Sequence, residues 1–95
     1  MNVQKHLALL GLQAKDRVTG FSGVVTSIGF DLYGCIQAVI NPGIGADGKL
    51  GEQLWFDVNR LDVTDHRPVM TPPNFEYGPI AEGLRGAAEK PVPSQ

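Results

Sequence analysis

The chain has 95 residues, of which 42% are hydrophobic and 19% are charged, and its formal net charge at pH 7 is −2. This composition is typical of one globular domain with a small core, and it excludes a wholly disordered chain. The eight lysines and arginines are scattered singly from Lys5 to Lys90, which argues against a nucleic-acid partner because duplex binding needs a basic face.

The single cysteine and the short apolar runs bear on the cellular compartment. Cys35 is the only cysteine, so an intramolecular disulfide and a thiolate metal cage are excluded. No apolar run approaches the length of a membrane span, and the segment LALLGL at 7–12 lacks the cleavage site of a secretory signal. We therefore expect a cytoplasmic protein that does not associate with membranes.

The first 14 residues are predicted to form a lead-in with one short helical turn. Val3, Leu7 and Leu10 recur at roughly helical spacing, and Gly11 interrupts the pattern. Residues 15–64 are rich in β-branched residues and turn signals, which indicates a β domain of five short strands.

Two glycines mark the first corner of this β domain. Val18 is predicted to open a short strand, and residues 23–31 form a longer one. A phosphate-binding loop at Gly20 and Gly23 would need a helix after the glycines, but a strand follows. We therefore predict a corner in which one glycine takes a positive φ and the other packs closely. The predicted core residues of this stretch are Val18, Val24 and Ile28.

The next strand, residues 35–41, is predicted to be the central one. It follows a tight reversal at 32–34 and ends at Pro42. Alternation places Ile36, Ala38 and Ile40 on one face and Cys35, Gln37 and Val39 on the other. Since both faces are mostly apolar, we expect a buried and inert Cys35 thiol.

The fourth strand is predicted within residues 52–58, after a glycine-rich loop with a turn at Asp47-Gly48. Its alternation places Phe56 in the core and leaves Trp55 partly exposed. Residues 59–63 follow as a tight turn and a last strand. Asp57 and Arg60, three residues apart, are predicted to form an ion pair or a turn cap.

The acidic residues suggest no catalytic site. Asp16, Asp31 and Asp57 could meet in pairs for acid–base chemistry, but each is more simply a residue at a strand end or on a polar face. The cluster Asp62–His66 is interpreted as a solvated loop rather than a metal site. With no catalytic triad and no nucleotide fingerprint, we predict a protein that is not an enzyme and binds neither metal nor cofactor.

Residues 65–95 contain six of the seven prolines together with several apolar residues. We interpret this segment as an extended arm and tail that packs along the β domain or onto another subunit. A small domain buries more apolar surface when such an arm packs onto a second subunit, so we predict a homo-oligomer.

The run DRVTGFSGVV at 16–25 resembles the first two strands of SH3-like barrels, including the KOW type of translation factors. The wider pattern from Leu10 to Val63 is similar to a family of small phage and prophage proteins. This resemblance implies an all-β, five-stranded SH3-like barrel with a proline-rich C-terminal arm, in a bacterial host cell or a virion. It implies no catalytic residue. Ala14 departs from the pattern, since many such barrels have a larger apolar residue there.

Exposed aromatic residues give the candidate binding site, because SH3-like barrels often recognise extended ligands through an aromatic groove. The residues predicted to bind a ligand or partner are Tyr33, Trp55, Asp57, Arg60, Phe75 and Tyr77. In the competing interpretation, Pro72-Pro73 and Tyr77, or a second subunit, cover Trp55.

Three functions remain open from the sequence. The first is a non-enzymatic phage accessory protein that binds a host or defence protein or a small ligand. The second is a virion component, such as a decoration or head-completion protein, that uses its arm for subunit contacts. The third is a nucleic-acid-binding KOW-like module, against which the acidic balance argues.

Overall fold

The computed structural model describes residues 3–75 of the chain. Its elements are a short helix and five strands: α1 (Val3–Leu7), β1 (Gln13–Asp16), β2 (Ser22–Phe30), β3 (Ile36–Asn41), β4 (Leu54–Asp57) and β5 (Leu61–Asp65). A 3₁₀ turn at Val58–Arg60 joins β4 to β5. No helix among residues 3–75 is long and apolar enough to cross a membrane.

The five strands form one antiparallel sheet in the order β4-β3-β2-β1-β5. This confirms the all-β prediction and the short helical turn that precedes it. β4 and β5 are the two edges, and over residues 3–75 they do not pair with each other, so hydrogen bonds do not close the sheet. β1 pairs with both β2 and β5, so β5 is added at the edge beyond β1. This leaves β2 as the middle strand of the five. The prediction that residues 35–41 are central was wrong by one place, although β3 is an internal strand.

The core lies on one face of this sheet. Its buried side chains are Ala14, Val25, Ala38, Ile40 and Phe56. Partly buried side chains from the lead-in, the turns and β5 pack around them, and the ring of Phe21 lies 5.3 Å from that of Phe56. The predicted burial of Phe56 is confirmed, as is the common face of Ala38 and Ile40.

Val18 does not open a strand. β1 ends at Asp16, and Val18 lies in the following turn with 73% of its surface exposed. The prediction was wrong because the backbone turns earlier than the β-branched residue suggests: the Gly20 amide donates to the carbonyl of Asp16 at 2.8 Å. Ile28 does pack against the core.

The prediction that one glycine takes a positive φ and the other packs closely is confirmed. Gly20 has a φ of +81° and open space around it, so its role is conformational. Gly23 packs against the backbone of the neighbouring strand, where a Cβ would lie 2.6 Å from the carbonyl carbon of Asn41. The corner is therefore a structural feature that lets β2 cross closely over the end of β3.

The beginning of the C-terminal arm lies on the lead-in. The Val69 amide donates to the carbonyl of Gly11 at 2.9 Å, and a Cβ on Gly11 would lie 2.8 Å from the carbonyl oxygen of Met70. The chain then continues to Phe75 along Leu10 and β2. The rest of the predicted arm, with Tyr77, lies outside the described residues.

Candidate functional site

Trp55 lies on the sheet face opposite the core. Strand register sets the neighbours on this outer face, because residues directly opposite one another point to the same side. The outer face of β2, β3 and β4 carries two adjacent rows, Ser27–Val39–Trp55 and Gly29–Gln37–Asp57. The predicted alternation of β4 is confirmed, with Trp55 and Asp57 on one face and Phe56 on the other.

The Trp55 indole extends from the edge strand across β3 to β2. A Cβ on Gly29 would lie 3.1 Å from Cζ3 and 3.3 Å from Cη2 of the indole, so the absence of a side chain at Gly29 makes room for the ring. Val39 is only 9% exposed although it lies outside the core cluster, which fits an indole lying over it. Trp55 itself remains 55% exposed. The ring therefore rests on the sheet and leaves a large part of its surface to solvent.

A shallow pocket of about 260 Å³ lies beside the indole and is lined by Gly29, Phe30, Asp31, Cys35, Gln37 and Trp55. One wall is the β2–β3 turn, in which Oδ1 of Asp31 accepts hydrogen bonds from the amides of Tyr33 and Cys35, both at 2.9 Å. Leu32 and Tyr33 at the tip are 90% and 87% exposed. We call the outer-face rows and this turn together the Trp55 surface.

Cys35 is exposed at this pocket, so the prediction of a buried thiol was wrong. β3 begins one residue later, at Ile36, and Cys35 belongs to the turn. The Asp31 carboxylate raises the pKa of the Cys35 thiol above its ordinary value, and partial desolvation, a hydrogen bond with Asp31 and the charge of Asp57 add to the rise. The thiol therefore stays protonated and weakly nucleophilic at neutral pH.

Replacement of Asp31 by asparagine is expected to speed alkylation of Cys35. The asparagine oxygen can still accept the two turn amides, while removal of the charge lowers the thiol pKa and increases the thiolate fraction. Because Cys35 is the only cysteine, the rate of iodoacetamide labelling at mildly alkaline pH measures this one site. Asp47→Asn, in the remote β3–β4 loop, is the control. Equal rates for the two variants would contradict the assignment of the pKa shift to Asp31.

The Asp57 carboxylate accepts no hydrogen bond and forms no ion pair within residues 3–75. The other aspartates of this part of the chain all have such partners: Asp16, Asp31, Asp47, Asp62 and Asp65. Asp57 is half-buried, precedes the 3₁₀ turn and does not cap it with its side chain. The predicted pairing of Asp57 with Arg60 was therefore wrong.

Arg60 instead forms a two-pronged ion pair with Asp16, which is fully buried. Its Nε donates to Oδ1 at 2.8 Å and its Nη2 to Oδ2 at 2.7 Å. Oδ2 also accepts from the hydroxyl and the amide of Thr19, at 2.6 and 2.9 Å. The Arg60 hydrogen bonds, against the opposing effect of burial and with help from Thr19, hold the pKa of Asp16 far below its ordinary value. Arg60 is thus a structural residue and not part of the candidate site.

Phe75 lies away from the indole. It lines apolar grooves with Leu7, Leu10 and Thr26, and Pro72-Pro73 lie in the same region. The competing interpretation, in which these prolines cover Trp55, does not hold for Pro72-Pro73, which lie beside Leu10 and residues 24–26; its Tyr77 lies outside the described residues. The glycine-rich loop at Gly43–Gly51 lies at the other end of β3 from Tyr33.

No group of three or more histidine, cysteine, aspartate or glutamate side chains within residues 3–75 could hold a metal ion. The prediction of a solvated loop at Asp62–His66 was wrong, because most of it belongs to β5 (Leu61–Asp65). Asp62 pairs there with Arg17 and Asp65 with Arg67, both at 3.1 Å. Comparison with known proteins gave no further lead, because no family model, no curated protein and no solved structure matches this chain.

Proposed function

We propose that this chain is a non-enzymatic binding module and that its binding surface is the Trp55 surface. The observation that carries the proposal is the Trp55 indole, which is held on the sheet by Gly29 yet is 55% exposed. Tryptophan and tyrosine dominate the energetics of protein–protein interfaces, and their exposure beside a polar rim is typical of an interaction site. Leu32 and Tyr33, in the β2–β3 turn that forms one wall of the pocket, are also exposed.

The fold that we propose for this module is a partly open SH3-like barrel of the KOW type. Five consecutive antiparallel strands in which β1 pairs with both β2 and β5 support this assignment. Together with the resemblance of residues 10–63, it supports a phage or prophage accessory protein that acts in the bacterial cytoplasm. The partner on this proposal is a host or defence protein, bound by a single chain or by a homo-oligomer.

Replacement of Trp55 by alanine is expected to abolish capture of partner proteins. The tagged chain is used to capture proteins from a lysate of the bacterial host, and bound proteins are quantified by mass spectrometry. Removing the indole deletes the exposed aromatic ring that lies across the sheet, and one such residue is worth at least tenfold in affinity. The loss should be specific to proteins that the wild-type chain enriches.

Val18→Ala is the matched control, because Val18 is also an exposed apolar residue but lies in the β1–β2 turn. Thermal melts of both variants are used to test whether the sheet is intact. Recovery of the same proteins, in the same amounts, by the Trp55→Ala chain would refute the proposal.

A virion component is the second candidate, and the position of the arm favours it. Residues 69–75 pack on Gly11, Leu10 and β2, so the chain leaves the sheet along an apolar groove of about 370 Å³. Under this alternative, subunit contacts involve the arm, and Trp55→Ala leaves incorporation into particles unchanged. Removal of residues 76–95 would instead prevent incorporation.

A further inference from the structure

We propose that the Trp55 surface recognises a guanidinium group, so that its partner is a protein segment with an exposed arginine. This inference rests on the proposed function, since it names the chemistry of the partner that the same surface takes. Three observations on residues 3–75 carry it: the 55% exposure of Trp55, the Asp57 carboxylate that accepts no hydrogen bond and forms no ion pair there, and a pocket lining that includes Asp31 but no basic side chain.

The indole supplies a flat, electron-rich platform. Tryptophan is the aromatic residue that attracts cations most strongly over its face, and arginine stacks on it with its planar guanidinium. The ring lies close to the backbone at Gly29, and this contact with the sheet restricts its orientation. A cation that stacks there meets a preorganised surface, which lowers the entropic cost of binding.

The Asp57 carboxylate lies where a stacked guanidinium could reach it. Trp55 and Asp57 are two residues apart on one face of β4, which places their Cα atoms roughly 7 Å apart. The Cζ3–Cη2 edge of the indole reaches Gly29, and Gly29 belongs to the same cross-strand row as Gln37 and Asp57. An arginine over the ring edge can therefore stack on the indole and donate to Asp57 with the same planar group.

The charged side chain that lines the pocket is acidic. Among residues 3–75, Asp31 lines the pocket and no lysine or arginine does. The carboxylates of Asp31 and Asp57 both act on the neighbouring Cys35 thiol and raise its pKa. Arg60 also feels the charge of Asp57, but its Nε and Nη2 are committed to Asp16 on the core side. Arginine fits this site better than lysine because its guanidinium is planar, weakly hydrated and able to donate several hydrogen bonds at once.

The test is a titration of the full chain with a hexa-arginine peptide, in which tryptophan fluorescence is the measured signal. Trp55 is the only tryptophan, so the signal reports this surface alone. We expect a saturable change in emission that a hexa-citrulline peptide does not produce. Asp57→Asn should weaken hexa-arginine binding by about fivefold or more, because the carboxylate is the hydrogen-bonding partner.

Asp47→Asn is the matched control. It removes one negative charge, as Asp57→Asn does, but in the β3–β4 loop, where asparagine can still accept the Lys49 amide. Equal weakening by the two variants would mean general electrostatic attraction and would overturn the proposal. Absence of a saturable emission change, or equally tight binding of hexa-lysine, would also overturn it. Thermal melts establish that each variant is folded.

The outcome separates this inference from the proposed function. A chain that ignores hexa-arginine but captures a partner in a Trp55-dependent manner keeps the binding function and loses the arginine specificity. A chain that does not respond to hexa-arginine and whose capture of proteins is unchanged by Trp55→Ala loses both.

Discussion

Replacement of Gly23 by alanine is expected to unfold the chain. A Cβ at this position would overlap the carbonyl oxygen of Asn41 and would lie 2.6 Å from its carbonyl carbon and 2.8 Å from Cα of Pro42. These are backbone atoms of the adjoining strand, so no side-chain rotation can relieve the overlap. β2 would have to separate from β3 where their pairing begins, at Val24 and Asn41. Circular dichroism and a thermal melt measure the loss.

Gly20→Ala is the informative control for this experiment. It introduces the same methyl group in the same corner, but a Cβ there meets no atom within 4 Å, so only the positive φ is penalised. That penalty is about 1 kcal/mol, and the control should still fold. A Gly23→Ala chain that melts as cooperatively as Gly20→Ala would show that the corner is looser than its geometry indicates.

Replacement of Asp16 by asparagine is expected to lower the melting temperature at neutral pH by roughly 15 °C. The substitution removes the charge that holds the Arg60 guanidinium and directs an amide at a cluster of donors. Asp16 is fully buried and the Arg60 side chain is 40% exposed, so the variant leaves a partly desolvated guanidinium and the Thr19 donors without their charged acceptor. Asp62→Asn is the control, since its pair with Arg17 is more than half exposed on both sides and should contribute little.

The effect of Asp16→Asn should depend on pH. The folded state depresses the pKa of Asp16 below its ordinary value of 3.8, so the contribution of this carboxylate to stability is fully present above that value. As the pH falls further, the unfolded chain takes up a proton at Asp16 while the folded chain does not, and the contribution is lost. The difference in melting temperature between wild type and variant should be constant above about pH 5 and should narrow progressively as the pH falls below that value. A constant difference would contradict the role of the charge.

Local patterns were sufficient to predict much of the sheet. Alternation placed Phe56 inside and Trp55 outside, and the strand after Gly23 distinguished a corner from a phosphate loop. Such features depend on neighbours in the sequence. Strand order depends on pairing between distant segments, which is why β3 was placed in the middle instead of β2.

The buried ion pair shows what a single sequence leaves out. Asp16 shares a face with Ala14, so alternation could have marked it as inward, and Thr19 three residues later is typical of an aspartate-stabilised turn. Its partner Arg60, however, is 44 residues away in the sequence. Asp57 is only three residues from Arg60, so the sequence favoured the wrong aspartate as the partner of Arg60. The roles of Gly29 and Gln37 beneath and beside the indole also depend on register across three strands.

The pairing of Asp16 with Arg60 also constrains when the domain can form during synthesis. Asp16 lies in β1, the first strand to be synthesised. Its partner Arg60, and β5, which pairs with β1, come about 44 residues later in the sequence. A nascent chain that stops before Arg60 would have to bury the Asp16 carboxylate without a counter-ion. The penalty disfavours a compact intermediate built from β1 to β4 alone. Productive folding therefore waits for the last strand, and shortened products of interrupted translation would stay open to proteases.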